Sequence, residues 1–336
     1  MKKLGKKMIT LITLLAICLF CSISALGEKL FDERFIADCH LQPEEIYKNQ
    51  CVAPVGNTVY QLMRNGDIFA WDSQTDEYAL YAHVPKFPSF NSEIPFHSQS
   101  DSIKAEIEDT VFYLISSPDG LYGINLVTGA IGLIDANGIH FNNVKLDTSF
   151  LKPSTEEWPM AFANAFIENE KLYAYFDIGL LTGEMPPQTT LLIFDLITGD
   201  CSTIYMENTI AFCRYTSGKL LLLQDDGTET PKLAIYDIAS EKSSDLDLVI
   251  PISMNRNTFQ NSWEIHSEIG GLAYDSTNNT TYLSDVHGVW ISIAGQPFER
   301  QSSRSGWDML IGTAEAWVLS SGDYVFQNGW AYYIKP

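Results

Sequence analysis

The segment GLYGINLVTGAIGLID, Gly120 to Asp135, is two short apolar runs around a turn, and variants of it return along the whole chain. Asn125 ends the first run, and its short polar side chain suits a turn because it can bond its own backbone a few residues on. Thr128 and Gly129 complete the turn, since Gly accepts the positive φ that a bulged hairpin demands. Aligned on Asn125, the copies are FAWDSQTDEY around Asp72, LIFDLITGDC around Asp195, AIYDIASEKS around Asp237 and VWISIAGQPF around Ser292. AYYIKP ends the chain as the same strand without a hairpin. The anchors stand 42 to 70 residues apart, which fits a unit of about 42 residues carrying loops of variable length.

Each copy follows another strand that ends in a turn: TVYQLMRNG, TVFYLISSPDG, KLYAYFDIG, KLLLLQDDG, TTYLSDVHG and DYVFQNG. Before these lie inner-strand candidates of small and apolar residues, such as AFANAFIE and IGGLAYDS. Inner, second, third and outer strands make a four-stranded antiparallel blade. The expected fold is therefore all-β, a six-bladed β-propeller, with seven blades as the alternative if the long loops form a degenerate one. Helical spacing of apolar residues is confined to Leu41–Asn49. The last copy lacks an outer strand, and Glu28–Ala37 is expected to supply it and close the ring, leaving no long free edge. The hairpin between third and outer strands faces the bottom of such a ring.

The pattern in LYGINLVTG and LLIFDLITG resembles the repeat of the PQQ-like and YVTN-like bacterial propellers. The resemblance covers most of the chain after residue 27 and implies the fold alone, because these superfamilies host enzymes, scaffolds and binding modules. The blade-docking Trp and Gly positions and the active-site signatures of the quinoprotein dehydrogenases do not match, so no cofactor is expected.

Lys2, Lys3, Lys6 and Lys7 precede an uncharged run from Met8 to Ala25. This reads as a secretory signal peptide over residues 1–27, with Ala25 and Gly27 before the cut and a single domain over residues 28–336. A retained anchor, or lipidation at Cys18 or Cys21, are the alternatives. The expected location is secreted, periplasmic or at the cell surface. The formal net charge of −21 falls to −25 without those four Lys. A scattered acidic surface argues against nucleic acid and anionic membranes as partners. Cys39, Cys51, Cys201 and Cys213 remain, and the simplest of their three pairings joins Cys39 to Cys51 and Cys201 to Cys213; free buried thiols are the alternative. The absence of any CxxC argues against zinc, and no metal is expected.

The long connections, among them 85–104, 136–159 and 247–266, belong to the classes that face the top of a propeller, where binding residues concentrate. Trp158, Trp263 and Trp307 each stand just before an inner strand, so all three are expected near the top channel mouth. With Glu157, Arg256, Asn257, Arg304 and Asp308 they are the candidate ligand-binding set for a peptide, glycan or partner protein; the competing reading has the three Trp plug the channel or pack between blades. No catalytic residue is assigned. The six His are scattered, SSPDGLY lacks the spacing of a sialidase Asp-box, and QDDGTETP lacks a full calcium ligand series. The expectation is a non-enzymatic binding or interaction module. An extracellular carbohydrate hydrolase or lyase, and an assembly scaffold, are the alternatives.

Overall fold

The structure, a computed structural model, describes residues 31–35, 52–63, 65–72, 74–75, 77–86, 98–149, 164–177, 188–225, 227–228, 230–251, 269–276, 279–285, 288–300, 316–318, 324–327 and 330–334. Its β content follows from the pattern that defines the repeat: short β-branched and aromatic runs closed by Asx and Gly turns. The first unit pairs β2 (Val52–Val55), β3 (Thr58–Leu62), β4 (Asp67–Asp72) and β5 (Glu77–His83) in that order, after β1 (Phe31–Phe35). The second consists of β6 (Tyr113–Ser117), β7 (Gly120–Ile124), β8 (Ala130–Asp135) and β9 (Gly138–Lys145). The third consists of β10 (Asn164–Glu168), β11 (Lys171–Asp177), β12 (Gln188–Asp195) and β13 (Cys201–Glu207). A parallel bridge between Phe166 and Ser116 joins these two into one eight-stranded sheet. The fourth contains β14 (Thr209–Thr216), β15 (Lys219–Gln224), β16 (Lys232–Asp237) and β17 (Lys242–Leu246). The fifth contains β18 (Ile269–Asp275), β19 (Thr280–Asp285), β20 (Gly288–Ile293) and β21 (Glu299–Arg300). Last come β22 (Ala316–Val318), β23 (Tyr324–Gln327) and β24 (Trp330–Ile334), with β1 antiparallel beside β24, Phe31 opposite Ile334 and Phe35 opposite Trp330.

The innermost strands lie side by side in chain order: β2 against β6, then β10, β14, β18 and β22. This is a propeller-like arrangement of antiparallel sheets. Burial falls from inside outward, so β15 is buried on both faces while β17 is exposed along almost its whole length. The apolar cores accordingly lie between successive units. Leu62 and Leu121 share one, Ile115 and Leu172 the next, Phe212 and Leu191 a third, and Leu221 and Leu283 a fourth.

Two expectations need correction. The 85–104 connection runs into a helix, α1 (Asp101–Asp109), that apolar periodicity did not announce, and the 136–159 connection contains β9. In consequence the second unit is out of phase with the sequence repeat by one strand. Asp72, Asp195 and Asp237 sit between third and outer strands, whereas Asn125 sits between second and third, at the opposite edge of its sheet. Leu41–Asn49 lies outside the described residues. Cys201 and Cys213 are free thiols, not a bridge. Cys201 opens the outer strand of the third unit and is exposed, whereas Cys213 is buried in the inner strand of the fourth, so the two belong to different sheets. Cys39 and Cys51 lie outside the described residues.

The turn chemistry itself is the one expected. Asp72 Oδ1 accepts from the backbone N–H groups of Gln74 and Thr75, Asn125 Oδ1 from Val127 and Thr128, and Asp195 Oδ1 from Ile197 and Thr198. Gly129 has φ +71°, and a Cβ there would stand 1.8 Å from the Leu146 carbonyl oxygen. The Leu146 N–H donates to Gly129 O at 2.9 Å, so the two backbones meet face to face. Gly129→Ala is expected to lower stability by about 1–3 kcal/mol, through the left-handed φ and the displaced strand end. Urea unfolding checks this, with exposed Gly218 (φ +72°, nothing within 4 Å of a Cβ) separating the cost of φ from that of contact.

Candidate functional site

The inner strands end in tight turns into their second strands, and these ends surround a cavity of about 400 Å³. Val55 and Gly56, Ser116 to Pro118, Ala165 to Ile167, Cys213 to Ser217 and Leu272 to Tyr274 wall it, one segment from each of five units. The fourth unit contributes most, for a geometric reason. The β14–β15 register slips between Arg214 and Thr216, and a bulge re-aims side chains that would otherwise alternate across the sheet. Arg214 and Tyr215 therefore both reach the cavity.

Arg214 is the one charged residue among the described lining residues. Its Nη2 donates to Glu168 Oε1 at 2.5 Å, from the end of β10 in the neighbouring unit. The Glu168 side chain is 10% exposed and that of Arg214 49%. The carboxylate thus holds the guanidinium by one N–H while about half of the Arg214 side chain remains exposed. A guanidinium carries five N–H donors, and among the described residues Glu168 is the only ion-pair partner of Arg214.

Tyr215 and Tyr274 pack with ring centroids 4.3 Å apart, tilted by 34°. The Tyr274 hydroxyl donates to Asn279 Oδ1 at 3.0 Å. Burial, then its hydrogen bond with Tyr215, pushes the Tyr274 phenol up to about 12. The Tyr274 phenol is therefore neutral at physiological pH. Burial likewise raises the Cys213 thiol, which keeps it protonated and unreactive. Phe166 stacks on Tyr173 at 5.1 Å and stiffens the adjoining wall.

Trp158, Glu157, Arg256, Asn257, Trp263, Arg304, Trp307 and Asp308 all lie outside the described residues. A second crevice of about 370 Å³ opens at the opposite sheet edge, between Tyr205, Glu207 and Asn208 of the third unit and Gln224, Asp225 and Lys232 of the fourth. There the Asp225 N–H donates to Asn208 O at 2.7 Å and its Oδ1 accepts from Gly227 N–H, holding the start of QDDGTETP as a turn. Among the described residues no group of three or more His, Cys, Asp or Glu gathers to hold a metal. His83 pairs with Asp67 at 2.8 Å and His140 with Asp135 at 3.2 Å, both on strand edges away from the cavity.

Sequence reading passed over Arg214, Tyr215 and Tyr274 because the inner strands were taken for plain core. The available signal was FCRYTSG, where an Arg and a Tyr in succession break the small and apolar pattern of an inner strand.

No family model matches the chain, those of the PQQ-like and YVTN-like repeats included, and no curated protein matches it. Solved structures do resemble it in shape. A gluconolactonase from Xanthomonas campestris has 10% identity and a TM-score of 0.47 over 93% of each chain. The WD40 repeats of RRP9 have 8% identity and a TM-score of 0.45, over 85% of this chain and 94% of that one. The WD40 domain of Neurospora crassa Pan2 has 8% identity and a TM-score of 0.45, over 84% of this chain and 87% of that one. Among the described residues no helix is long and apolar enough to cross a membrane.

Proposed function

We propose that this chain is an exported, non-enzymatic binding module: a six-bladed propeller, closed by β1 beside β24, that holds a ligand where its inner strands converge. The observation that carries this reading is the composition of the cavity wall. In a chain with 42 Asp and Glu, the described lining contains one Arg, an aromatic pair and several hydroxyls, and no acid. A built concavity with few, convergent polar groups is the usual form of a small-ligand site. Glycoside cleavage needs a pair of carboxyl groups across the scissile bond, so this wall favours binding over the hydrolase alternative.

The three Trp with Glu157, Arg256, Asn257, Arg304 and Asp308 remain a second proposed surface, at the long-connection end, for a peptide, glycan or protein. An array of glycans, peptides and small organic acids tests both surfaces together. Tyr215→Ala/Tyr274→Ala is expected to lose about tenfold or more in affinity for a cavity ligand while keeping its thermal midpoint within a few degrees. Trp158→Ala/Trp263→Ala/Trp307→Ala is expected to lose only ligands of the opposite end. An array on which wild type retains nothing sinks the binding reading.

A further inference from the structure

We infer that the cavity selects a small free carboxylic acid with a flat apolar body, the carboxylate on Arg214 and the body against Tyr215 and Tyr274. The inference rests on the binding reading above and adds the ligand's chemical class. Three observations on the wall lead there. The first is its charge: the chain carries an excess of acids, yet the described lining holds Arg214 as its charged group and excludes Asp and Glu. An acidic protein repels a free anion in general, whereas this cavity offers one a guanidinium whose own acid partner, Glu168, stands outside the lining.

The second is the state of that guanidinium. Glu168 takes one N–H of Nη2, from a position almost closed to solvent, and leaves about half of the Arg214 side chain exposed. The half-exposed Arg214 lines the cavity, and a guanidinium has further N–H donors in a planar fork whose geometry suits a carboxylate. The third is what stands beside it. Tyr215 is the next residue in the bulged strand and packs on Tyr274, which gives an aromatic surface adjacent to the charge. The Tyr274 phenol is neutral and its O–H is held by Asn279, so the ring adds no repulsion to an anion. About 400 Å³ suits a body of one or two rings and lies near the low end for small-ligand sites.

Phenylacetate is the probe and phenylacetamide its neutral counterpart, each titrated calorimetrically into the full-length mature chain. Wild type is expected to bind the acid about tenfold or more tighter than the amide, because a charge-assisted hydrogen bond contributes about 1.5–3 kcal/mol. Arg214→Gln alone leaves Glu168 buried without its cation and threatens the fold. The deciding variant is therefore Glu168→Gln/Arg214→Gln, which replaces the ion pair by two amides. It is expected to keep the fold and bind acid and amide alike. A short peptide ending in a free Phe carboxylate distinguishes the other source of the same chemistry, and is expected to bind no tighter than phenylacetate. Equal wild-type affinity for acid and amide overturns the inference, as does an acid preference that survives in the double variant or a peptide that binds tighter than the free acid. If a neutral glycan from the array is retained in a Tyr215- and Tyr274-dependent way while phenylacetate is not, the ligand class is wrong and the binding module stands.

Discussion

Asn125→Asp is expected to destabilise the protein by about 3–5 kcal/mol at neutral pH, although it changes one atom type in a repeat that elsewhere uses Asp. Asn125 is fully buried. Its Oδ1 accepts from Val127 and Thr128, as the Asp residues of the other turns accept from theirs. Its Nδ2 does something they do not, donating to Ile107 O at 2.6 Å and Glu108 O at 3.1 Å at the end of α1. Thr110 supplies the neighbouring cap by donating to Glu106 O at 2.6 Å. The last carbonyls of a helix have no partner within it and carry the negative end of its dipole. A carboxylate in place of the amide would turn two hydrogen bonds into two repulsions, away from water. Burial and those carbonyls both favour its neutral form, so its pKa in the folded state would rise above the unfolded value of about 3.9. The deficit is then fully present at neutral pH and shrinks as pH falls through the raised pKa. Urea unfolding at pH 7 and pH 5 reads both size and sign, and a deficit that grows toward acid would refute the argument.

The exposed turns behave in the opposite sense. Backbone N–H groups of Thr198 and Ile197 hold the Asp195 carboxyl below the usual range, and Gln74 and Thr75 do the same for Asp72, led by Thr75. What these groups contribute is present above the unfolded carboxyl pKa and is lost as pH falls below it. Both turns are solvated, so Asp195→Asn is expected to be almost silent where Asn125→Asp is severe.

Phe212→Ala is the second large effect, expected at about 3–5 kcal/mol with a normal far-ultraviolet spectrum. The ring is 1% exposed and meets Phe166 edge to face at 6.2 Å and Tyr175 at 5.1 Å. The Tyr175 hydroxyl reaches over to donate to Ile210 O on the same strand as Phe212. Third and fourth units are thus held by one aromatic cluster, and removing its central ring leaves a void that neither rigid sheet can collapse to fill. Phe212→Leu is expected to recover more than half of the loss. Exposed Ile197→Ala serves as the control that moves little. Chemical unfolding measures all three, and an alanine variant within 1 kcal/mol of wild type would show that the units are not joined there.

The strand repeat and its turns were legible because they rest on local chemistry. A Gly with positive φ and an Asx side chain over its own backbone leave marks that need no tertiary context. Phe31–Phe35 does pair with β24, within the Glu28–Ala37 segment expected to lie there. The phase of the second unit was not, because the hairpin around Asn125 looks the same whichever pair of strands it joins. Only α1, whose buried face reduces to Ile107, decides which edge of the sheet it occupies. The cavity was hidden for a related reason. That Arg214 and Tyr215 face a common space depends on a register slip of one residue and on a carboxylate 46 positions away, neither of which has a local signature.

The phase shift also limits how far the units can be exchanged. An ancestral duplication would make each copy of the motif a spare part for any other, and for the exposed Asp turns that equivalence holds. The copy at residues 120–135 has lost it. It has become the seat of a helix end on one side and of the Leu146 carbonyl on the other, so a graft of this segment into the third unit would carry a buried amide into water, and the reverse graft would bury a charge.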